Sequence, residues 1–147
     1  MALEWHLGDI LQNRWEIRKI LSGGMGIVYV VYDAELRIVL AAKTYQEKYL
    51  QSLSARNNFI EEAHTWINLD RHQHIVRAHF IELIHGRPYV FTEYISGCYL
   101  SDLISTPRLS LKQTLRFAIQ FCYGMEYAYS HGITAHRDIK PMNCLVT

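Results

Sequence analysis

Apolar residues in the first 45 positions fall in short runs that end at glycine or at polar turns. The runs Trp15–Leu21 and Ile27–Tyr32 flank the segment Ser22-Gly23-Gly24-Met25-Gly26, and Ile38–Ala42 follows a polar turn at 33–37. Runs of β-branched and aromatic residues that are separated by glycine-rich bends are typical of antiparallel hairpins. The pattern therefore predicts three strands, joined by short links, at the start of the chain.

A helical period follows this strand pattern after residue 52. Ser52 or Ser54 can cap a helix that continues to about Leu69. Apolar residues recur there at spacings of three and four, which places them on one face of a helix. The residues of this face are Phe59, Ala63, Trp66 and Ile67.

Two more β-prone runs, Val76–Ile84 and Pro88–Tyr94, come after the helix, with the turn His85-Gly86-Arg87 between them. The order is then strand, strand, strand, helix, strand, strand. A five-stranded antiparallel sheet that packs against one helix is the natural arrangement of these elements. The predicted fold class is α+β.

The second part of the chain is mainly helical in pattern. A short helix is expected at Leu100–Ile104, and Pro107 ends that segment. Ser110 and Gln113 have the spacing of a capping box at the start of a longer helix, which Gly132 ends. The stripe of this helix consists of Leu111, Leu115, Ala118, Cys122, Met125 and Tyr129.

Composition restricts the class of protein. Half of the residues are hydrophobic and 20% are charged, which is typical of a globular domain. The formal net charge is only +1 and no dense run of lysine and arginine is present, so a nucleic-acid partner is not expected. The longest apolar stretch, around Phe117–Met125, is too short to span a bilayer.

The cysteines and histidines suggest ordinary side chains rather than a metal or disulfide framework. Cys98, Cys122 and Cys144 are odd in number and widely spaced, which favours reduced thiols and a cytoplasmic location. His72 and His74, with His64 nearby, raise the hypothesis of a metal site. Because no carboxylate or cysteine accompanies them at ligand spacing, loop histidines are the favoured interpretation.

The strongest chemical signal is the segment His136-Arg137-Asp138-Ile139-Lys140-Pro141-Met142-Asn143. A carboxylate, an ammonium group and an amide oxygen lie within six residues of one another. Phosphoryl transfer needs a positioned hydroxyl, charge neutralisation on the phosphate and a nearby metal ion. Asp138 would orient the hydroxyl, Lys140 would offset phosphate charge, and Asn143 would give Mg²⁺ an oxygen ligand.

This segment resembles the catalytic loop of the eukaryotic-type protein kinase family, and the lysine two residues after the aspartate resembles the serine/threonine branch. The resemblance extends from Trp15 to the end of the chain. It implies a kinase N-lobe with hinge over 1–95 and part of a C-lobe over 96–147. It also implies ATP and Mg²⁺ as cofactors and serine or threonine hydroxyls of proteins as acceptors. The Gly-Gly-Met-Gly run resembles bacterial members.

Lys43 ends the third predicted strand in Leu40-Ala41-Ala42-Lys43, which is similar to the lysine motif of the family. A lysine among half-buried apolar residues needs an opposite charge to keep its own. The following helix resembles the family's helix C and offers Glu62, with Glu61 as the nearest rival. Lys43 and Glu62 are thus expected to act with Asp138 and Lys140.

The resemblance also implies a nucleotide site. The glycine-rich bend is similar to the loop that covers the phosphates, although Leu21 stands where the family has another glycine. Thr92 would be a small gatekeeper residue, and Tyr99 stands where many kinases have a polar group facing the ribose. The implied nucleotide-binding residues are Leu21, Gly23, Gly24, Gly26, Val28, Ala41, Lys43, Thr92, Glu93 and Ile95.

The family's Asp-Phe-Gly segment, which holds Mg²⁺, is not present in the four residues after Asn143. The 147-residue chain is therefore expected to be a truncated, inactive part of an active kinase. Its helix over 111–129 is expected to expose an apolar face and to self-associate. A nucleotide-binding pseudokinase or a scaffolding module is the alternative, suggested by Leu21 and Tyr99.

Overall fold

The computed structural model describes residues 5–23, 26–46, 52–107 and 109–147. These residues belong to two compact units. The first comprises Met1–Asn68 and Arg77–Tyr94, and the second comprises Leu69–Val76 and Ile95–Thr147. The chain thus enters the second unit after Asn68, returns to the first at Arg77 and leaves it again after Tyr94. The segment 69–76 lies in the second unit, and the lobe boundary at 95/96 stays a prediction.

The first unit contains an antiparallel sheet of six strands in the order β1-β2-β3-β4-β6-β5. Among the residues described between β4 and the next strand, helix α1 covers Leu53–Ile67. The α+β fold predicted from the sequence is confirmed, with one strand more than expected in the described sheet. The strands are β1 Ile10–Leu11, β2 Trp15–Gly23, β3 Gly26–Asp33, β4 Ile38–Tyr45, β5 Ala78–Ile84 and β6 Arg87–Glu93.

The additional strand β1 is only two residues long. Leu11 pairs with Trp15 across a tight turn at Gln12 and Asn13, both of which have positive φ. Leu11 is 1% exposed and belongs to the core, so burial of one side chain holds this edge strand in place. Two residues are too few to give a recognisable alternation of apolar and polar positions.

The two faces of the sheet pack in different ways. One face forms a core that includes Trp15, Tyr29 and Phe91. The opposite face carries Val90 and Ala78, which pack with Phe59 and Ala63 of α1. Ser52 caps α1 by accepting a hydrogen bond from the backbone N–H of Ala55 at 3.1 Å, as one of the two predicted caps would.

A buried carboxylate closes the β3–β4 turn. Asp33 is fully buried and accepts hydrogen bonds from the Arg14 guanidinium, from the Trp15 indole N–H at 2.8 Å and from the backbone N–H groups of Glu35 and Leu36 at 3.0 Å. Burial raises the pKa of Asp33, but these hydrogen bonds and the Arg14 charge outweigh it and hold that pKa below its usual value. The residue therefore remains ionised inside the unit.

The second unit is built from helices and one short ribbon. Ser110 and Gln113 form the predicted capping box at the start of the long helix, and Gly132 follows its end with φ of +89°. Among the described residues, no helix is both long and apolar enough to cross a membrane. The elements are β7 Cys98–Tyr99, α2 Leu100–Ile104, α3 Leu111–Ser130, a 3₁₀ turn Pro141–Asn143 and β8 Leu145–Val146, with β7 antiparallel to β8.

The segment 69–76 packs against the C-terminal half of α3. The His72 ring stacks on Tyr127 with 4.6 Å between ring centroids. Gly124 is buried, and a Cβ atom placed on it would lie 2.9 Å from the carbonyl oxygen of His74. The close approach of the two backbones therefore requires glycine at this position of the helix.

Candidate active site

The polar residues of the 136–143 segment converge on one carboxylate. Lys140 Nζ lies 2.8 Å from Asp138 Oδ2. The side-chain amide of Asn143 donates to the same oxygen at 2.8 Å and to the backbone carbonyl of Asp138 at 2.9 Å. The three side chains that the sequence singled out in this loop are therefore in direct contact.

The backbone explains how these residues meet. Arg137 has φ of +66°, so the chain turns sharply just before Asp138. Pro141 then begins the 3₁₀ turn, and the backbone N–H of Asn143 donates to the carbonyl of Lys140 at 2.9 Å. This turn brings Asn143 back toward Asp138 within five residues.

The Asp138 carboxylate is exposed, and its pKa is lowered. The hydrogen bond from Lys140 is the main cause, followed by the one from Asn143. Asp138 is consequently an anion at neutral pH and a weak base. Such a group is suited to orient a hydroxyl and to accept its proton late in a reaction.

The first unit gathers five of the ten residues implied for nucleotide binding on one face of its sheet. The strand register pairs Leu21 with Val28, Val28 with Lys43, and Ala41 with Thr92. Residues directly opposite in antiparallel strands project from the same face, and so do residues two apart in one strand. All five side chains thus belong to one face, the face that carries Val90.

The residues that the sequence predicts for a hinge lie at the end of β6 and just after it. Thr92 is 5% exposed, and its hydroxyl lies 3.4 Å from the carbonyl oxygen of Ala41 and 3.2 Å from that of Glu93. The Glu93 carboxylate accepts a hydrogen bond from the backbone N–H of Arg77 at 2.8 Å. Ile95 follows in the second unit as half-buried, irregular chain.

Lys43 is half-buried on β4, and it has an interaction partner. Glu62 and Glu61 are both exposed on α1. The pairing of Lys43 with one of these carboxylates stays a prediction.

The glycine-rich bend is described only at its two ends. Gly23 pairs with Gly26 at the ends of β2 and β3. A Cβ atom on Gly26 would lie 3.5 Å from the carbonyl oxygen of Thr44, which is ordinary contact. Gly24, which the sequence also predicts to bind nucleotide, lies outside the described residues together with Met25.

The histidines do not gather at a metal site in the described part of the chain. No group of three or more histidine, cysteine, aspartate or glutamate side chains there could hold a metal ion. His72 stacks on Tyr127, and its Nδ1 accepts the backbone N–H of His74 at 3.2 Å. In this position these histidines hold a loop on a helix, which their spacing in the sequence did not suggest.

Comparison with known proteins agrees with the geometry of the loop and the sheet. The model of the protein kinase domain family matches residues 15–147, and the chain belongs to this family. A probable serine/threonine-protein kinase of Streptomyces coelicolor is 33% identical over 144 residues, covering 93% of this chain and 21% of the relative. Serine/threonine-protein kinase A of Synechocystis is 31% identical over 147 residues, covering 93% and 28%.

Solved structures show the same fold. The PknI kinase domain of Mycobacterium tuberculosis superposes with a TM-score of 0.83 at 22% identity, over 98% of this chain and 58% of that one. Serine/threonine-protein kinase PknJ of the same organism is 27% identical over 147 residues. The chain spans about a quarter of the length of such curated relatives, 25% in the case of PknJ.

Proposed function

We propose that this chain is the nucleotide-binding lobe and catalytic loop of a serine/threonine protein kinase that uses ATP and Mg²⁺. The observation that carries the proposal is the contact of Lys140 and Asn143 with Asp138. A solvated loop with no catalytic role has no need to direct an ammonium group and an amide toward one exposed carboxylate. Membership of the kinase family supplies the reaction class.

The sheet face described above would receive the nucleotide. Val28 and Ala41 would cover the adenine, with Leu21 beside them. The backbone carbonyl of Glu93 and the N–H of Ile95 would bind the edge of the base. Lys43 would contact the α- and β-phosphates, with Glu62 or Glu61 as its partner.

The catalytic loop would then position the acceptor. Asp138 Oδ2 already accepts hydrogen bonds from Lys140 and Asn143. Oδ1 is therefore the oxygen that would accept a hydrogen bond from a serine or threonine hydroxyl. The hydroxyl oxygen attacks the γ-phosphorus, the bond to the β-phosphate oxygen breaks, and the hydroxyl proton passes to Asp138. Lys140 would offset negative charge on the transferred group.

The loop provides part of the ligand set that a magnesium ion would need. The Asn143 amide nitrogen is engaged with Asp138, which leaves its carbonyl oxygen as a hard ligand of the kind that Mg²⁺ prefers. Mg²⁺, when bound, neutralises phosphate charge. One amide oxygen is an incomplete site, so further ligands are needed.

The test is Asp138-dependent phosphoryl transfer by the full-length gene product. With radiolabelled ATP and a generic protein acceptor, we expect transfer by the wild type and a loss of about 10²–10⁴-fold in Asp138→Asn. Asp70→Asn, at an exposed loop aspartate, is the matched control and should keep its activity. Equal activity of D138N and the wild type would overturn the proposal.

A pseudokinase is the second candidate. Leu21 in place of a glycine and Tyr99 near the expected ribose position favour it. It predicts nucleotide binding without transfer. Fluorescence titration with a nucleotide analogue measures binding, and the transfer assay measures phosphorylated product. Both candidates bind nucleotide, but only the kinase gives a product signal, which D138N removes.

We further propose that residues 1–147 alone do not transfer phosphate and that they self-associate. Asn143 is a poor magnesium site by itself, and residues 144–147 add no carboxylate. One face of α3 leaves Leu111, Leu115 and Ile119 more than half exposed, a patch that monomers seldom present to water. Light scattering should report oligomers of this polypeptide, and a clean monomer would contradict the second expectation.

A cytoplasmic location is part of the same proposal. The free thiols Cys98, Cys122 and Cys144 are compatible with a reducing compartment. Fractionation of cells that express the full-length gene product tests this point.

A further inference from the structure

Two histidines of the segment 69–76 contact α3 through their rings, and the chemistry proposed above does not use them. The His72 ring stacks on Tyr127 with 4.6 Å between centroids, and the His74 ring lies 5.6 Å from the His72 ring. His74 in turn stacks on Tyr123 at 6.4 Å, with 18° between the ring planes. Histidine is the side chain that changes its charge between about pH 5 and pH 8, so this contact contains groups that respond to protons.

The hydrogen bond of His72 fixes where a proton must be added. Its Nδ1 accepts a hydrogen bond from the backbone N–H of His74 at 3.2 Å. Because a backbone N–H only donates, Nδ1 carries no hydrogen in this arrangement, and neutral His72 has its hydrogen on Nε2. Protonation therefore places the new hydrogen on Nδ1, where it faces the hydrogen of the donor. The observed conformation of the segment is specific to neutral His72.

The packing beside this bond leaves the segment little room to adjust. A Cβ atom on Gly124 would lie 2.9 Å from the carbonyl oxygen of His74 and 3.5 Å from a side-chain carbon of Ile75. The backbone of the segment thus lies directly on the helix. The His72 ring is half-buried and lines an open cavity with the exposed Ser130, so water can deliver a proton to the ring.

A second histidine adds positive charge at the same tyrosine. The His131 ring lies 4.1 Å from the Tyr127 ring between centroids, and its Nδ1 lies 2.8 Å from the Tyr127 carbonyl oxygen. A carbonyl oxygen only accepts, so His131 donates through Nδ1 and can take a second proton on Nε2 without losing this bond. In acid, a cationic His131 would oppose a cationic His72.

The remaining charged groups near His72 are exposed. Asp70 and Arg71 precede it on the segment and carry opposite charges. Glu126 of α3 lines the same cavity and is the group that would favour a cationic His72. Because the Glu126 side chain is exposed, water and salt screen its charge. The hydrogen bond at Nδ1 is therefore the contact that decides which form of His72 the segment accepts.

We propose that the contact between the segment 69–76 and α3 is a proton-sensitive latch, which is closed while His72 is neutral and is released when His72 takes up a proton. Release uncovers α3 at Gly124 and Tyr127. The closed state binds fewer protons than the released state, so its stability is complete above the range of histidine titration and falls as the pH drops through that range. This inference does not depend on the proposed kinase function.

Hydrogen exchange of the full-length gene product, measured by mass spectrometry, tests the latch. After correction for intrinsic rates, we expect exchange in peptides that cover 69–76 to be about tenfold faster at pH 5.5 than at pH 7.5. His72→Asn keeps an acceptor near the position of Nδ1 and His72→Phe keeps a stacked ring, but neither side chain titrates. Exchange in both variants should be independent of pH. His64→Asn, at an exposed position of α1, is the matched control and should keep the tenfold change.

The outcomes decide the role of His72. Exchange in 69–76 that is equal at the two pH values in the wild type would overturn the latch. A pH response that persists in both H72N and H72F, or that disappears in Glu126→Gln, would assign the titration to another group and overturn the role of His72. Loss of the response in the folded His72 variants, as judged by circular dichroism at pH 7.5, together with its retention in E126Q, supports the inference.

Discussion

The side-chain amide of Asn143 bonds to two oxygens of Asp138, the backbone carbonyl at 2.9 Å and the carboxylate Oδ2 at 2.8 Å. These bonds fix the Asp138 side chain from one direction while Lys140 holds the same oxygen from another. The carboxylate is therefore oriented before any substrate arrives. A positioned group of this kind lowers the reorganisation needed during a reaction.

Replacement of Lys140 by methionine should raise the pKa of Asp138. The hydrogen bond from Lys140 is the main cause of its lowered pKa, and the remaining bond from Asn143 only partly replaces it. An NMR titration of aspartate carboxyl carbons in the 147-residue chain measures this shift. Lys112→Met, at an exposed position on α3, is the control and should leave the Asp138 titration where it is.

The same change should move the acid limb of the activity profile in the full-length gene product. The ionised form of Asp138 is the reactive one, so activity falls as pH drops through its pKa. Because that pKa is depressed in the wild type, the loss occurs below about pH 4, and in K140M it should begin at higher pH. Lys140→Arg, which keeps the charge, should shift the limb less. An acid limb that is identical in K140M and the wild type would contradict the role given to Lys140.

Replacement of Asn143 by alanine should increase the magnesium concentration needed for half-maximal rate. The change removes one oxygen ligand and also frees Asp138 Oδ2 from a donor. We expect a loss of about 10²-fold in rate at low magnesium, recovered in part at high magnesium. Asn57→Ala, at an exposed position on α1, serves as the control. An unchanged magnesium dependence would argue against Asn143 as a ligand.

Replacement of Asp33 by asparagine should destabilise the first unit by about 1–3 kcal/mol, because the change removes the charged acceptor of the Arg14 guanidinium and the Trp15 indole N–H. Urea unfolding at pH 7 measures the difference. Glu35→Gln is the matched control. Glu35 pairs with Arg14 at 2.8 Å but is exposed, so its removal should cost less than about 1 kcal/mol.

The pH dependence of D33N stability provides an independent check. The pKa of Asp33 is lower in the folded state than in the unfolded state. The contribution of ionised Asp33 to folding stability is therefore complete above the unfolded-state pKa of about 3.9. It is lost as the pH falls through the lower pKa of the folded state. The stabilities of the wild type and D33N should accordingly converge at strongly acid pH. A constant difference from pH 7 to pH 2 would contradict ionisation of Asp33.

Replacement of Gly124 by alanine should destabilise the second unit although alanine favours helix. The propensity gain is about 1 kcal/mol, but the added Cβ would lie 2.9 Å from the His74 carbonyl oxygen and should cost about 1–3 kcal/mol. The midpoint of thermal unfolding of the variant reports the sum of the propensity gain and the steric cost. Cys122→Ala, at an exposed position of the same helix, should have little effect. A higher melting temperature for G124A than for the wild type would show that the segment 69–76 can move away from the added Cβ atom without destabilising the unit.

Local patterns predicted the elements of this fold well. The capping box of Ser110 and Gln113 is formed by neighbours in sequence, so its spacing alone was sufficient, and Leu100–Ile104 is helical as expected. The strand β1 was missed because its two residues are held by burial of Leu11 against distant parts of the chain. Asp33 was predicted to lie in a polar turn, and nothing local indicates that Arg14 and Trp15 bury it.

The candidate site was predictable in part for the same reason. The contact of Lys140 and Asn143 with Asp138 lies within six residues, where spacing and resemblance are informative. The relation of Lys43 to Glu62 depends on how α1 packs on the sheet, which is a long-range property. The stacking of His72 on Tyr127 joins positions 55 residues apart, and no short motif encodes it.

The route of the chain limits how the molecule can be divided. Residues 69–76 lie between two segments of the first unit, yet they supply the His72 ring and the His74 carbonyl that cover Tyr127 and Gly124 of α3. A recombinant fragment that starts at Ile95 would lose this covering and expose a glycine in mid-helix to solvent. A fragment that starts at Ile95 is therefore a poor candidate for separate expression. A circular permutant that retains residues 69–76 together with α3 is a better candidate.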